Sequence, residues 1–320
     1  MNSYLLIVIS ILLSIGLGLI ILPILKKKKI GQNIREVGPK SHLSKAGTPT
    51  MGGIIFIIGS FILALIFLPI KSLETWILLL STIGFGAIGF IDDFRKLVLK
   101  QSEGLSPKGK IILQFGLAVI ISVLAYINDK DSIASLLIPF TDTRIKLGIL
   151  GIPLMIFIIV GTTNATNLTD GLDGLLASVS LPVFITLAIL GKNTSNAIFS
   201  YIMLGSLLGF LIFNSNPAAV FMGDTGSMAI GGAIVALAIN LKIPIYLIIF
   251  GGIYVLETLS VIIQVTSYRY RNKKRVFLMT PIHHHFEFKG YKEQKIVEGF
   301  AVVSVIFCMI TLAALIWKKY

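Results

Sequence analysis

The sequence predicts an all-α, polytopic membrane protein with ten transmembrane helices and both termini on the extracytoplasmic side. Three observations predict it. Of 320 residues, 55% are hydrophobic and only 13% charged, whereas soluble domains are about a quarter charged, so the surface of this chain needs lipid as its solvent. Ten stretches approach the ~20 apolar residues that cross a ~30 Å hydrocarbon core. Lys and Arg are spread unequally over the connections between those stretches.

The first stretch, 4–25, is too long for a removable signal peptide and is not followed by a cleavage pattern. The others run 50–70, 75–91, 110–127, 147–163, 174–191, 197–213, 226–241, 243–264 and 296–317. The stretch 226–241 is rich in Gly and Ala, the composition of a tightly packed or broken membrane helix. No Ser/Pro-rich linker interrupts the series, so 1–320 reads as a single domain. The connections after the first, third, fifth, seventh and ninth stretches carry 20 of the 28 Lys and Arg, with the densest runs at 26–29 and 269–275. Those connections are therefore expected at the cytoplasm. The net charge of +13 is absorbed by this topology, and no nucleic-acid partner is expected. A single cysteine, Cys308, excludes a disulfide framework and a Cys-based metal site.

The acidic residues carry more information. Asp92 and Asp93 end the third stretch in GFIDDFRK. Asp170 and Asp173 lie in the fifth connection, NATNLTDGLDG (164–174), and Asp224 in the seventh, FNSNPAAVFMGDTGS (213–227). All five fall on the cytoplasmic side at helix ends. Capping and turn formation explain Asp, Asn and Gly at any one such place. They do not explain why these two connections hold no Lys or Arg while the other inside loops hold all 20. Converging carboxylates repel unless a cation joins them, and hard oxygen ligands suit Mg²⁺, which takes one or two carboxylates plus water and phosphate oxygens.

Three consecutive histidines, His283, His284 and His285, sit in TPIHHHFEFKG (280–290). On a helix neighbours point about 100° apart, so one shared transition metal is a poorer reading than hydrogen bonds to phosphate, sugar or carboxylate oxygens. The first inside loop, GQNIREVGPKSHLSKAGTPTMGG (31–53), brings Lys45, Thr48 and Thr50 to a helix start suited to anions. Lys96, Lys100, Lys108 and Lys110 follow the Asp pair, where attraction to anionic lipid accounts for the outer ones. Glu257, within 243–264, is costly in lipid and is expected to face inward in a helix-to-helix hydrogen bond.

These motifs resemble the phospho-N-acetylmuramoyl-pentapeptide-transferase (MraY) family of the polyprenyl-phosphate N-acetylhexosamine-1-phosphate transferase superfamily. The resemblance covers nearly the whole chain. The aspartate motifs belong to the superfamily, while GTPTMGG and the triple histidine followed by Phe-Glu point to this member. One departure is at Gly299, Phe300 and Ala301, where the family usually carries Arg-Phe-Trp. The resemblance implies ten spans, a bacterial inner (plasma) membrane location, and a cytoplasmic-face site built from loops near 26–50, 92–110, 164–174, 213–227 and 265–296. It implies Mg²⁺-dependent transfer of phospho-MurNAc-pentapeptide from UDP-MurNAc-pentapeptide to undecaprenyl phosphate, yielding lipid I and UMP, by a homodimer in contact with membrane lipid. By position, Asp224 would be the metal ligand. Asp92 and Asp93 would orient the lipid phosphate or the metal, and Asp170 and Asn167 would lie near the diphosphate. Lys45, Gly171, Leu172, Asp173, Asn214 and Phe221 would form the uridine pocket, bordered by Thr50 and Gln264. His283, counted with the catalytic residues, and His284 and His285 would cover the site. The rival readings are a sister enzyme that transfers GlcNAc-1-phosphate from UDP-GlcNAc and, from another class, a secondary transporter.

Overall fold

The computed structural model of the chain describes residues 3–27, 45, 47–97 and 104–316. The segment 31–44 of the first inside loop, Lys28 and Lys29 of the basic run, and Lys100 lie outside the described residues. The described helices are α1 (Ser3–Lys27), α2 (Gly53–Phe67), α3 (Leu73–Leu97), α4 (Pro107–Asn128), α5 (Asp131–Ala134), α6 (Gly151–Thr169), α7 (Leu175–Leu190), α8 (Ser195–Asn214), α9 (Gly223–Asn240), α10 (Leu247–Phe250), α11 (Gly252–Tyr270), α12 (Ile282–Phe288) and α13 (Glu293–Ile316). Each of the ten apolar stretches coincides with one helix or, at 243–264, with the α10–α11 pair. By length and composition α1, α3, α4, α6, α8 and α13 are able to cross a membrane, which makes this a multi-pass membrane protein. The segments Pro244–Phe250 and Gly252–Tyr270 qualify only together and meet at an 82° bend. At 15 and 16 residues, α2 and α7 are about 22–24 Å long, short of a ~30 Å core.

The helix α9 is the axis of the bundle. Every residue from Thr225 to Ile239 is buried, so helices rather than lipid solvate it, and small side chains matter more than greasy ones. Its polar first turn and its glycines follow from that position. A Cβ on Gly232 would stand 2.4 Å from the Ser81 carbonyl oxygen of α3, and one on Gly231 2.4 Å from Thr166 Oγ1 of α6. Ser81 Oγ donates to the Gly232 carbonyl at 2.8 Å, fastening α3 to α9 at this approach.

Of the boundaries that differ from the sequence reading, two bear on the site. The helix α3 runs on through Asp92 and Asp93 to Leu97, and α6 runs on through Asn164 and Asn167 to Thr169. Counting apolar residues stops at the first polar group, but the helix continues where that group finds a partner. Asn164 exchanges amide hydrogen bonds with Gln114 of α4 at 2.8 and 3.3 Å. The 128–146 loop also departs from a purely helical fold, because it forms a small antiparallel hairpin, β1 (Ser135–Leu137) with β2 (Arg144–Lys146). Its Asp129 pairs with Lys242 beyond α9 at 2.5 Å, and that ammonium holds the Asp129 carboxyl below its ordinary range.

Candidate active site

The site is assembled by backbone pairing between two distant loops. Phe221 N–H donates to the Pro49 carbonyl at 2.8 Å, Gly52 N–H to the Phe221 carbonyl at 2.8 Å, and Gly53 N–H to the Met222 carbonyl at 2.9 Å. This ladder sets the start of α2 against the start of α9, where a Cβ on Gly53 would be 2.2 Å from the Gly226 Cα. Gly223, at φ +74°, makes the turn that launches α9, with Thr50 Oγ1 and Asp93 Oδ2 packed against its α-carbon. Only glycine fits both the left-handed backbone and the space. Thr50 and Phe221 are thereby placed at the turn that precedes Asp224.

Asp92, Asp93 and Asp224 converge, and each is held differently. Asp93 is buried and turned toward the first turn of α9, accepting from Thr225 N–H at 2.9 Å, Thr225 Oγ1 at 2.7 Å and Asp224 N–H at 3.3 Å. It acts as an N-cap supplied by another helix, meeting the orphan donors and positive end of α9. Asp224, in that first turn, is half-buried. It accepts from Asn167 Nδ2 at 2.9 Å, Lys110 Nζ at 2.6 Å and Lys96 Nζ at 3.4 Å. Asp92 accepts from Lys96 Nζ and from Leu105 N–H, the latter at 2.8 Å, with Lys110 Nζ 3.5 Å away. The two lysines thus bridge two carboxylates at the end of the bundle that carries the aspartate motifs.

Asp170 closes α6 nearby and makes no side-chain hydrogen bond among the described residues. Burial, first, and then the negative charges of Asp224, Asp93 and Asp173 push its carboxyl up to about 8. That is a carboxyl among like charges with no cation paired to it among the described residues. Among the described residues no three His, Cys, Asp or Glu side chains are arranged to share one metal ion. The donor set fits a hard cation that takes one or two carboxylates and completes its shell with water and phosphate. Asp224 and Asp170 are the carboxylates there that would hold it, with the lysines on Asp224 Oδ2 giving way.

Of the residues expected at the uridine, Lys45 and Asp173 are in direct contact. Lys45 Nζ donates to Asp173 Oδ1 at 2.7 Å and to Glu293 Oε1 at 2.6 Å. Asp173 Oδ2 accepts from Ala218 N–H at 3.0 Å and Asn216 Nδ2 at 3.2 Å. Asn214 is buried, donates to the Val220 carbonyl at 2.9 Å, and leaves its Oδ1 without a partner among the described residues. Leu172 is buried in the same turn, and Gly171 abuts His283, whose Nε2 would lie 2.1 Å from a Cβ at 171.

The His283 and His284 rings pack edge to face with centroids 4.1 Å apart, but the three histidines make different polar contacts. His283 is fully buried, pairs through Nδ1 with Glu257 Oε1 at 3.0 Å, and points Nε2 at the 170–174 turn. His284 pairs with Glu287 at 2.6 Å, and His285 accepts from Leu278 N–H at 3.1 Å. Gln264 is spent on its own loop, donating to the Phe277 carbonyl at 3.0 Å and accepting from Val276 and Phe277 N–H at 2.9 and 3.0 Å. Of the 280–290 motif, His283 is the residue joined to the pocket turn. Sequence reasoning missed Glu293, Asn216 and the Gln114–Asn164 pair. Glu293 sits among Lys289, Lys292 and Lys295 and reads as one more loop charge. The Glu257–His283 contact matches the inward hydrogen bond expected for Glu257.

Comparison with known proteins identifies the family. The family model described as Glycosyl transferase family 4 matches residues 75–242, and that described as Phospho-N-acetylmuramoyl-pentapeptide-transferase signature 1 matches residues 45–57. A phospho-N-acetylmuramoyl-pentapeptide-transferase of Clostridium perfringens (strain SM101 / Type A) is 49% identical over 312 residues, covering 97% of this chain and 95% of the relative. Proteins of the same name from Clostridium novyi (strain NT) and Halalkalibacterium halodurans are 47% and 46% identical, each covering 97% of this chain and 96% of the relative. The ladder between 49–53 and 221–222 lies within the signature segment at one end and the family-4 segment at the other. The chain belongs to the phospho-N-acetylmuramoyl-pentapeptide-transferase family of membrane transferases.

Proposed function

We propose that the chain transfers phospho-MurNAc-pentapeptide from UDP-MurNAc-pentapeptide to undecaprenyl phosphate, giving lipid I and UMP, at the cytoplasmic face of the bacterial plasma membrane. Ten spans with both termini outside, a homodimeric state and Mg²⁺ dependence belong to the same proposal. The observation that carries it is the centre in which Lys96 and Lys110 bridge Asp92 and Asp224. It lies at the end of the bundle, where a dissolved diphosphate and a lipid-borne phosphate are able to meet.

Phosphoryl transfer depends mainly on positioning and charge neutralisation. Lys96 and Lys110 exchange carboxylate oxygens for phosphate oxygens as the two anionic substrates arrive. Asn167 keeps Asp224 aimed, Asp93 fixes the helix that carries it, and Asp224 and Asp170 would hold the cation. When bound, Mg²⁺ neutralises charge on the donor diphosphate and the departing UMP. The attacking group is a phosphate monoester with a second pKa near ~6, so it is largely ionised at neutral pH and needs little help from a base. Asp92 has its oxygens engaged by Lys96 and Leu105 N–H, which suits holding the lysine more than taking a proton. His283, fixed by Glu257, sets the 170–174 turn against the pocket.

The test is UMP release with undecaprenyl phosphate as acceptor. The parent is expected to release UMP from UDP-MurNAc-pentapeptide only with Mg²⁺ present. Asp224→Asn is expected to lose about 100-fold or more, the scale for removing one charge-stabilising group. Release from UDP-GlcNAc but not from the pentapeptide donor would instead establish the sister reaction.

A further inference from the structure

We propose that Glu293 is a positioning residue that shapes the nucleobase end of the donor site and makes it select an uncharged ring over a phosphate. The inference rests on the donor reading above and deepens it. Glu293 stands in the first turn of α13, yet its carboxylate reaches three other segments. Oε1 accepts from Lys45 Nζ at 2.6 Å and from Asp173 N–H at 2.6 Å, and Oε2 accepts from Asn216 Nδ2 at 2.9 Å. Lys45 is clamped between Glu293 and Asp173, which take two of the three N–H donors of its ammonium among the described residues. Asp173 is clamped in turn by Lys45, Asn216 and Ala218 N–H.

Lys45, Asp173 and Glu293 together carry one negative charge. A phosphate is repelled from this end, while a neutral heterocycle that offers both a carbonyl and an N–H is met by an ammonium and by carboxylate oxygens. The phosphates are left to Lys96 and Lys110. Glu293 touches none of the reacting groups; it acts through Lys45 and Asp173.

The experiment uses the full-length protein and UMP release, with Glu293→Ala, Glu293→Gln, Lys45→Ala and the Lys45→Ala/Glu293→Ala double variant. Uridine and pyrophosphate serve as inhibitor probes. Glu293→Ala is expected to raise KM for the UDP donor about tenfold, the scale of a lost hydrogen bond to a charged group. The expected kcat stays within about twofold, with KM for the lipid acceptor unchanged. Inhibition by uridine weakens by the same factor and inhibition by pyrophosphate does not. Glu293→Gln, which keeps shape and one acceptor, shows a smaller rise of the same kind, and it carries the test if the alanine variant fails to fold. The double variant is no worse than Lys45→Ala alone, because the two side chains act as one unit. An unchanged donor KM, a fall confined to kcat, or additive losses in the double variant would overturn the proposal. If the parent releases no UMP, the donor reading fails; if the parent is active and indifferent to Glu293, only this inference fails.

Discussion

Replacing Gly89 with alanine perturbs the site without touching a polar group in it. A Cβ at position 89 of α3 would lie 2.1 Å from the carbonyl oxygen of Asp224, 2.4 Å from its carbonyl carbon and 2.7 Å from Thr225 N. All three are backbone atoms of α9, so no side chain is able to rotate away. Ordinary contact begins near 3.4 Å, and α3 and α9 must therefore separate by about 1.3 Å here. That displacement carries the Asp93 contacts to Thr225, now 2.9 and 2.7 Å, toward or past the ~3.5 Å limit of a hydrogen bond. It also draws Asp224 off Lys110. A misplacement of about 1 Å costs roughly 100-fold in rate, while overpacking costs about 1–3 kcal/mol of stability. Gly89→Ala is thus expected to fold, to melt a few degrees lower, and to release UMP about 100-fold more slowly at saturating substrates. Gly116→Ala and Gly161→Ala are the controls: each is helical with nothing within 4 Å of the new methyl, and each should match the parent. A folded Gly89→Ala protein with a rate within twofold of the parent would refute the claim that this approach sets the geometry of the carboxylates.

Two further outcomes follow from polar contacts. Gln114→Leu or Asn164→Leu breaks the reciprocal amide pair one turn below Lys110 and Asn167, and should cost about 0.6–1.7 kcal/mol in thermal stability. The swapped variant Gln114→Asn/Asn164→Gln, which conserves total side-chain length, should recover much of that loss; recovery absent from both melting and activity would count against the pair. Asp170, pushed up to about 8 in the metal-free protein, holds a proton that a cation must displace. Apparent Mg²⁺ affinity, read from UMP release, should therefore climb as pH rises toward about 8 and level off above it, and Asp170→Asn should flatten the climb. In the metal-free protein the same raised carboxyl is a liability. It costs nothing below the unfolded pKa near ~4, and the cost grows as pH rises until the folded group ionises near 8.

The helices were readable because lipid imposes length and apolarity on any segment that faces it. The aspartate motifs were readable because carboxylates without nearby lysines are conspicuous at a basic membrane face. What stayed hidden depends on partners distant in the chain. Asp93 reads as an equal of Asp92, but its oxygens are committed to the N-terminus of α9, more than a hundred residues later. Glu293 is one charge in a charged loop until the fold lays it against Lys45, Asp173 and Asn216. His283, His284 and His285 look equivalent as a run, and only helical geometry turns one of them toward Gly171. The Gln264 amide braces 276–277, a use that no local pattern announces.

The wholly enclosed course of α9 has a consequence for how the catalyst meets its surroundings. The rod that bears Asp224 shares no boundary with the bilayer from Thr225 to Ile239, so tilting or thinning in the outer layer reaches it only through neighbouring helices. Membranes of different thickness are then expected to deform the periphery more than the hub, and to reach Asp224 chiefly through Lys110 of α4.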